Sequence, residues 1–339
     1  MATPDRRIPS FDDIEAAAAR LAGVCIRTPL LASPALDAAT GARVLIKPEI
    51  LQRTGSFKFR GAYNAIAALD EAERRRGIVT CSSGNHAQGI AAAAQLFGVP
   101  ATIVMPSDAP PLKRDRTRSY GARIVPYDRA TGDRDAVAAQ VVEETGGVFV
   151  SPYDDPGVIS GQGTAGVELV QQARELAGDP DLVLVPCGGG GLTAGIALAV
   201  QALAPSARVM TVEPEGFDDH VRSFLSGRRE ENAARAGSVC DALMAPRPGE
   251  LTFEVNRSRV AGGVSVSDAE ALAAVAYAWR DLKLVVEPGG AVALAALLSG
   301  KVDVAGRTVV VVLSGGNADP TIFARAVALA GEAEAQAVN

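Results

Sequence analysis

The sequence predicts an α/β protein, doubly wound, with two open, twisted, mostly parallel sheets covered by helices and a smaller domain inserted in a larger one. Three observations lead there. Short β-branched runs alternate with Ala-rich stretches of helical pattern. Continuous apolar runs such as LVLV and TVVVVL suit strands buried on both faces, which is the situation of a parallel sheet between helix layers. Several of these runs pass through a small-residue turn straight into a helix, the βα punctuation of open parallel sheets.

In chain order, Ser10 stands before Phe11 with Asp12 and Asp13 following, the signature of a helix start, and the helix should run to about Leu21. Strands are expected at 44–46, 77–81, 101–104, 123–125, 182–185, 208–212 and 308–313. The stretch 55–69 places Phe59, Ala62, Ile66 and Leu69 at helical spacing. Residues 89–106 are the most apolar stretch, but Gln95 and Pro100 interrupt them, so they read as helix, turn and strand and not as a membrane span. The smaller domain is expected at 77–151, between 1–76 and 152–339 of the larger. No C-terminal regulatory domain is expected.

Composition narrows the function class. The 339 residues carry 33 Lys and Arg against 39 Asp and Glu, a net charge of −6 with no basic stripe, which argues against a nucleic-acid partner. Hydrophobic residues make up 48% and charged ones 21%, enough for a buried core and against disorder. Cys25, Cys81, Cys187 and Cys240 are scattered without CxxC spacing, and only two histidines occur, so neither a zinc framework nor a disulfide scaffold is expected. The first residues lack the apolar core of a signal peptide. These features describe a soluble protein of a reducing compartment, placed in the cytoplasm.

Three turns carry the chemistry: SSGNHAQG after 77–81, PCGGGGLTAG after 182–185 and SGGNAD after 308–313. Ligands of open parallel sheets gather at the carboxyl ends of strands, so the three turns should share one cleft. Gly188–Gly191 is the sharpest. Successive glycines at a helix start let the backbone approach an anion and aim several N–H groups at it. A lone glycine pair would read as a tight strand–helix corner. The helix beyond contains no Lys or Arg, and no Walker lysine is present, so one phosphate monoester fits better than a triphosphate. A literal GxGxxG occurs at Gly161, Gly163 and Gly166, but it follows a Pro-containing loop and not a strand; it reads as a loop–helix corner and weakens an NAD-dependent alternative.

Lys58 lies between Phe57 and Phe59 in the first turn of its helix. Loss of solvation and the positive end of the helix dipole both favour the neutral amine, the form able to make a Schiff base or act as a base. Most lysines are snorkelling surface groups. Together with a phosphate cradle, however, Lys58 points to pyridoxal 5′-phosphate, an aldehyde for the amine and a phosphate for the glycines.

The motifs SFKFRGA, SSGNHAQG, PCGGGGL and LSGGN, in this order and spacing, resemble the serine/threonine dehydratase and serine racemase family, the tryptophan synthase β-like fold type II of pyridoxal-phosphate enzymes, from about Ile14 to Val327. The resemblance implies that Lys58 holds the cofactor as a Schiff base, with Phe57 against the ring and Asn85 bonding its phenolic oxygen. It implies that Gly188, Gly189, Gly190, Gly191 and Leu192 cradle the phosphate and that Ser314 faces the pyridine nitrogen. A serine there cannot stabilise a pyridinium, which weakens the ring as an electron sink and favours expulsion of a β-substituent. Ser82, Ser83, Gly84 and His86 are implied to meet the substrate carboxylate, though His86 serves equally well as a structural hydrogen-bonder. Ser83 matches the racemase hydroxyl on the face opposite the lysine, or simply a turn hydroxyl. Arg134 matches an arginine of the racemase and 3-hydroxyaspartate dehydratase branches that pairs with a second substrate carboxylate; otherwise it is solvated surface. Glu213, the Phe217 carbonyl and Asp219 match a Mg²⁺ or Ca²⁺ site, against the plain alternative of an acidic loop. A homodimer is implied.

Two departures bear on substrate identity: Ala242 in VCDALM where glycine is usual, and VEPGGA at 286–291. The expected function is a threonine/serine ammonia-lyase that turns a β-hydroxy L-amino acid into a 2-oxo acid and ammonia. A serine or aspartate racemase, or a 3-hydroxyaspartate dehydratase on the same scaffold, is the alternative.

Overall fold

The computed structural model describes residues 7–109, 111–128 and 132–337. The first helix is Phe11–Leu21, and its start is the one read from sequence. The Ser10 hydroxyl accepts the Asp13 amide N–H while the Asp13 carboxylate accepts the Ser10 N–H, which satisfies two end donors at once.

Ten strands are described: β1 (Leu31–Ala32), β2 (Arg43–Pro48), β3 (Ile78–Cys81), β4 (Ala101–Pro106), β5 (Arg123–Tyr127), β6 (Val148–Phe149), β7 (Leu182–Pro186), β8 (Arg208–Pro214), β9 (Gly263–Val266) and β10 (Thr308–Leu313). They form a six-stranded sheet of order β1-β2-β10-β7-β8-β9 and a four-stranded sheet of order β5-β4-β3-β6. Only β1 runs antiparallel to its neighbour. The seven expected strands are all present; β1, β6 and β9 were not anticipated, the first two being two residues long and β9 beginning on a glycine.

Burial explains why the long apolar runs become central strands. In β10, Val309, Val311 and Leu313 belong to the core on one face of the six-stranded sheet, and Val310 and Val312 to the core on the other. Leu182 and Leu184 of β7 face the first core, Val183 and Val185 the second. A strand with both faces covered cannot show polar alternation. The smaller sheet behaves alike: Ile103 and Met105 of β4 face one way and Val104 the other. Its core also draws on Phe59, Ala62, Ala65 and Ile66 of the helix Lys58–Ala68, so the residues expected for the smaller domain share their packing with the helix that carries Lys58.

One expectation is corrected. Gly161, Gly163 and Gly166 do not form a loop–helix corner; they lie inside the helix Pro156–Leu176, which Asp155 caps by accepting the Val158 N–H. A methyl group on Gly161 would come within 2.6 Å of the Arg60 carbonyl oxygen, and one on Gly166 within 2.8 Å of Ala199. The pattern records close helix crossings, with one face of the helix on Lys58–Ala68 and another on Gly191–Leu203, and no ligand.

A buried ionic cluster, absent from the sequence reading, anchors the Lys58 helix. Arg60 donates Nε and Nη2 to Glu49 at 2.7 and 2.8 Å, and Nη1 and Nη2 to Glu168 at 2.7 and 2.8 Å. Lys47 donates to Glu168 at 2.7 Å and to the Thr28 carbonyl at 2.8 Å. Arg60 is 1% exposed, and Lys47 and Glu49 are fully buried.

Candidate active site

The carboxyl ends of β3, β7 and β10 converge, as expected, on one cleft of about 230 Å³. It is lined by Phe57, Lys58, Ser82, Ser83, Gly84, Asn85, His86, Arg134, Gly188, Gly189, Gly190, Gly191, Leu192 and Ser314. Every organic-site residue singled out from the sequence therefore faces the same space.

Lys58 is the first residue of its helix, and its Nζ donates to the Pro152 carbonyl at 2.6 Å and lies 5.1 Å from the Phe57 ring centroid. Among the described residues no carboxylate is paired with it. Burial lowers its pKa from 10.5 to about 8. Of its two aromatic neighbours, Phe57 flanks the amine and Phe59 points away into the core.

Gly190 adopts φ +93° immediately before the helix Gly191–Leu203, a conformation that suits glycine, and turns the chain so that the helix start faces the cleft. A methyl group on Gly189 would sit 2.3 Å from the Tyr153 ring, and one on Gly190 2.6 Å from His220. Thr252 Oγ1 donates to the Gly189 carbonyl at 2.7 Å, which turns that oxygen to a partner outside the cleft. The result is a tightly packed turn that leads into a helix N-terminus, an arrangement whose backbone amides suit an anion. It lies in the same cleft as a desolvated amine and a serine at the end of β10. These residues fit a phosphorylated pyridine aldehyde.

Ser82, Ser83 and Gly84 form the turn between β3 and the helix Asn85–Phe97, with the Ser82 hydroxyl accepting the Gly84 N–H at 3.2 Å. His86 is 2% exposed; burial first, and the nearby Lys58 charge second, hold its pKa well below the ordinary value, against a backbone contact with Val150 that raises it. His86 is thus a neutral imidazole in the cleft wall. Arg134 opens the helix Arg134–Thr145 and carries Asp135 at 3.0 Å from its Nε.

The three residues read as a cation site stand apart from the cleft. Glu213, at the end of β8, is fully buried and accepts the His220 and Val221 N–H groups at 3.0 and 2.8 Å, so it caps the helix Asp219–Ser226. Asp219 accepts from Asn232 at 2.6 Å, while its other oxygen is buried without a partner. Burial and the neighbouring Asp219 push Glu213 well above the carboxylate range, and burial raises Asp219 to about 7. Phe217 lies buried in the intervening loop. Among the described residues no group of three or more His, Cys, Asp or Glu is arranged to hold a metal ion.

Several cleft residues were missed. Tyr153 packs over the glycine turn. Lys113, from the side of the smaller sheet, pairs with Asp241 from the other side, and both line the cleft. Glu287 lines it too and accepts a hydrogen bond from Asn85; burial raises it to about 7, with Asp241 adding to the rise. Only Glu287 and Asp241 left a sequence trace, in the departures VEPGGA and VCDALM; Tyr153 and Lys113 sit in unremarkable loop and helix text and are brought in by the fold. Ala242, the other departure, also borders the cleft.

Residues 21–315 match the family model described as pyridoxal-phosphate dependent enzyme. The chain is similar to an L-threo-3-hydroxyaspartate ammonia-lyase from Pseudomonas sp, 46% identical over 92% of this chain and 97% of that protein. It is similar to an L-threonine ammonia-lyase from Thermotoga maritima, 42% identical over 94% of this chain and 78% of that protein. Among solved structures it resembles a maize serine racemase, with a TM-score of 0.88 and 37% identity over 97% of this chain and 99% of that one. Among the described residues no helix is long and apolar enough to cross a membrane.

Proposed function

The chain belongs to the family of pyridoxal-phosphate dependent enzymes, and from that we infer an ammonia-lyase that converts a β-hydroxy L-amino acid to a 2-oxo acid and ammonia. The observation that carries the reading is Lys58: a desolvated amine at a helix start, with no carboxylate partner among the described residues, in the cleft that the glycine turn also lines. Pyridoxal phosphate, when bound, supplies an electron sink that makes the substrate Cα–H acidic. The residues of the chain supply the rest. The amides of Gly188–Gly191 would hold the phosphate, Ser314 would meet the ring nitrogen without charging it, and Phe57 would pack on the ring. Ser82, Ser83 and Gly84 would receive the substrate carboxylate. Lys58 Nζ would take the Cα proton, which balances the hydroxide lost from Cβ so that one water is released, and a second water would hydrolyse the resulting imine to the 2-oxo acid and ammonia.

The lowered pKa of Lys58 gives a pH signature. The neutral amine, which attacks the aldehyde, accumulates as pH rises through about 8 rather than 10.5. Reconstitution of apoprotein with pyridoxal phosphate is therefore expected to speed up to about pH 8 and level off above it. A rate still climbing tenfold per pH unit at pH 9.5 would contradict the assignment.

Arg134 supports the dicarboxylate branch. Its side chain lines the cleft and, among the described residues, pairs with Asp135; a guanidinium there suits a distal substrate carboxylate. Arg134→Ala is expected to lower kcat/KM for threo-3-hydroxyaspartate by roughly 10- to 100-fold, the range for losing a hydrogen bond to a charged group, and to change L-serine turnover less than about threefold. Equal losses on both substrates would remove Arg134 from substrate selection. Ser83 favours the racemase as a side activity; D-serine formation measured beside pyruvate decides that.

A divalent cation at Glu213, the Phe217 carbonyl and Asp219 would neutralise two buried carboxylates, one with an unpartnered oxygen. Mg²⁺ or Ca²⁺ added to EDTA-treated protein is then expected to raise Tm by binding the native state alone, and Asp219→Asn to abolish the rise. The family resemblance also supports a homodimer, and the four free thiols support a reducing compartment such as the cytoplasm; light scattering tests the former.

A further inference from the structure

The LSGGN turn contributes Ser314 to the cleft, and its last residue, Asn317, is left without a role. Asn317 does not line the cleft. Its side-chain amide is nevertheless fully used. Arg116 Nη1, from the helix Pro111–Ser119 beside the smaller sheet, donates to Asn317 Oδ1 at 2.8 Å. Asn317 Nδ2 donates one hydrogen to the Thr54 carbonyl at 2.7 Å and the other to Asn85 Oδ1 at 2.8 Å. Asn85 Nδ2 in turn donates to Glu287 Oε1 at 2.5 Å.

This chain of bonds has one direction. An amide offers one acceptor oxygen and two donor hydrogens, so three fixed partners leave Asn317 no freedom to flip. With its oxygen held by Asn317, Asn85 must turn Nδ2 the other way, where one hydrogen meets Glu287 and the second stays free. The packing admits no slack: a methyl group on Gly55 would approach Asn317 Oδ1 to 2.8 Å, and one on Gly315 would approach Glu287 Oε1 to 2.1 Å and Asn85 Nδ2 to 2.9 Å. Gly315 belongs to LSGGN, and Gly55 directly precedes SFKFRGA.

We propose that Asn317 is a positioning residue that locks the Asn85 amide with its N–H toward the cofactor's ring oxygen. The inference rests on the reading that Asn85 meets that oxygen. A free Asn85 could flip and present its carbonyl oxygen instead, which repels a phenolate and tolerates only the protonated phenol. The lock therefore stabilises the phenolate form of the bound ring.

The test uses holoenzyme and reads its absorption spectrum, which separates phenolate from phenol forms of the ring, together with cofactor retention on dialysis. Asn317→Asp keeps the size and the partner for Arg116 but loses both donors; Asn317→Ala loses everything. Both are expected to shift the bands toward the phenol form and to weaken cofactor retention about tenfold, the ratio carried by one lost hydrogen bond, with Tm of the Asp variant near wild type. In an Asn85→Ala background the Asn317 substitutions are expected to have no further spectral effect, the mark of two residues acting through one bond. If Asn85→Ala shifts the spectrum and Asn317→Asp does not, the positioning role is overturned. If Asn85→Ala itself leaves the spectrum unchanged, the underlying reading of Asn85 fails and the inference fails with it.

Discussion

Lys58→Ala is expected to lower turnover of any β-hydroxy amino acid by about 10³-fold or more, because one side chain serves both as the anchor of the aldehyde and as the Cα base. The geometry leaves no substitute. His86 is buried with its pKa held well below the ordinary value, so it is a weak base, and Lys113, the other cleft lysine, is paired with Asp241. The same variant should give no pyridoxyl-labelled peptide after borohydride reduction, whereas wild-type protein carries the label on the peptide containing Phe57–Phe59. The loss should not come from unfolding. A lysine whose folded pKa is lowered opposes folding wherever the unfolded chain holds the proton more tightly, that is, below its ordinary value of 10.5. Removing the amine relieves that opposition, so the apoprotein of the variant is expected to melt at or above the wild-type Tm at pH 7. An inactive variant with a Tm well below wild type would mean the activity was lost through the fold and would leave the catalytic role without support.

What could be read from the sequence follows a physical division. Local signals were legible: the Ser10–Asp13 cap is a four-residue reciprocal bond pattern, and the central strands announce themselves because apolar residues on both faces leave no other reading. The glycine turn and Lys58 were legible because their chemistry is carried by adjacent residues. The turns after β7 and β10 share a rim because parallel strands of one sheet present their carboxyl ends together, whereas β3 belongs to the other sheet and reaches the cleft through the packing of the two sheets. The failures are contacts between distant segments. Gly161, Gly163 and Gly166 looked like a turn because glycine signals close approach without naming what approaches; here it is two other helices. Glu287 meets Asn85 and Asn317 meets Asn85 across more than two hundred residues of chain. Arg60 reads as one more charge on an amphipathic helix, and only the fold encloses it between Glu49 and Glu168.

That enclosure sets the second large effect. Arg60→Met keeps a long, flexible apolar stem but leaves Glu49, fully buried, with only the Thr28 hydroxyl at 2.7 Å and a more distant Lys47. Breaking a buried pair by deleting one partner typically costs about 3–5 kcal/mol, because the remaining charge keeps its desolvation penalty; at a few degrees per kcal/mol this is a Tm drop of roughly 5–15 °C. In the wild-type protein burial alone would raise the Glu49 carboxyl, yet Arg60 and Lys47 hold it below its ordinary 4.5. A carboxylate depressed in the folded state adds stability above its unfolded pKa and loses it as pH falls through the folded one. Without Arg60 burial prevails, the folded pKa rises above 4.5, and the sign reverses: the variant binds a proton on folding and gains stability as the solution is acidified. The deficit relative to wild type is therefore expected to shrink between pH 7 and pH 5, and Arg60→Met combined with Glu49→Gln to recover part of the lost Tm at pH 7. Because Arg60 stands two positions beyond Lys58 on the same helix, cofactor retention should fall with stability in the single variant and return with it in the double. A pH-independent deficit, unrelieved by Glu49→Gln, would show that the cluster acts by packing and not by charge.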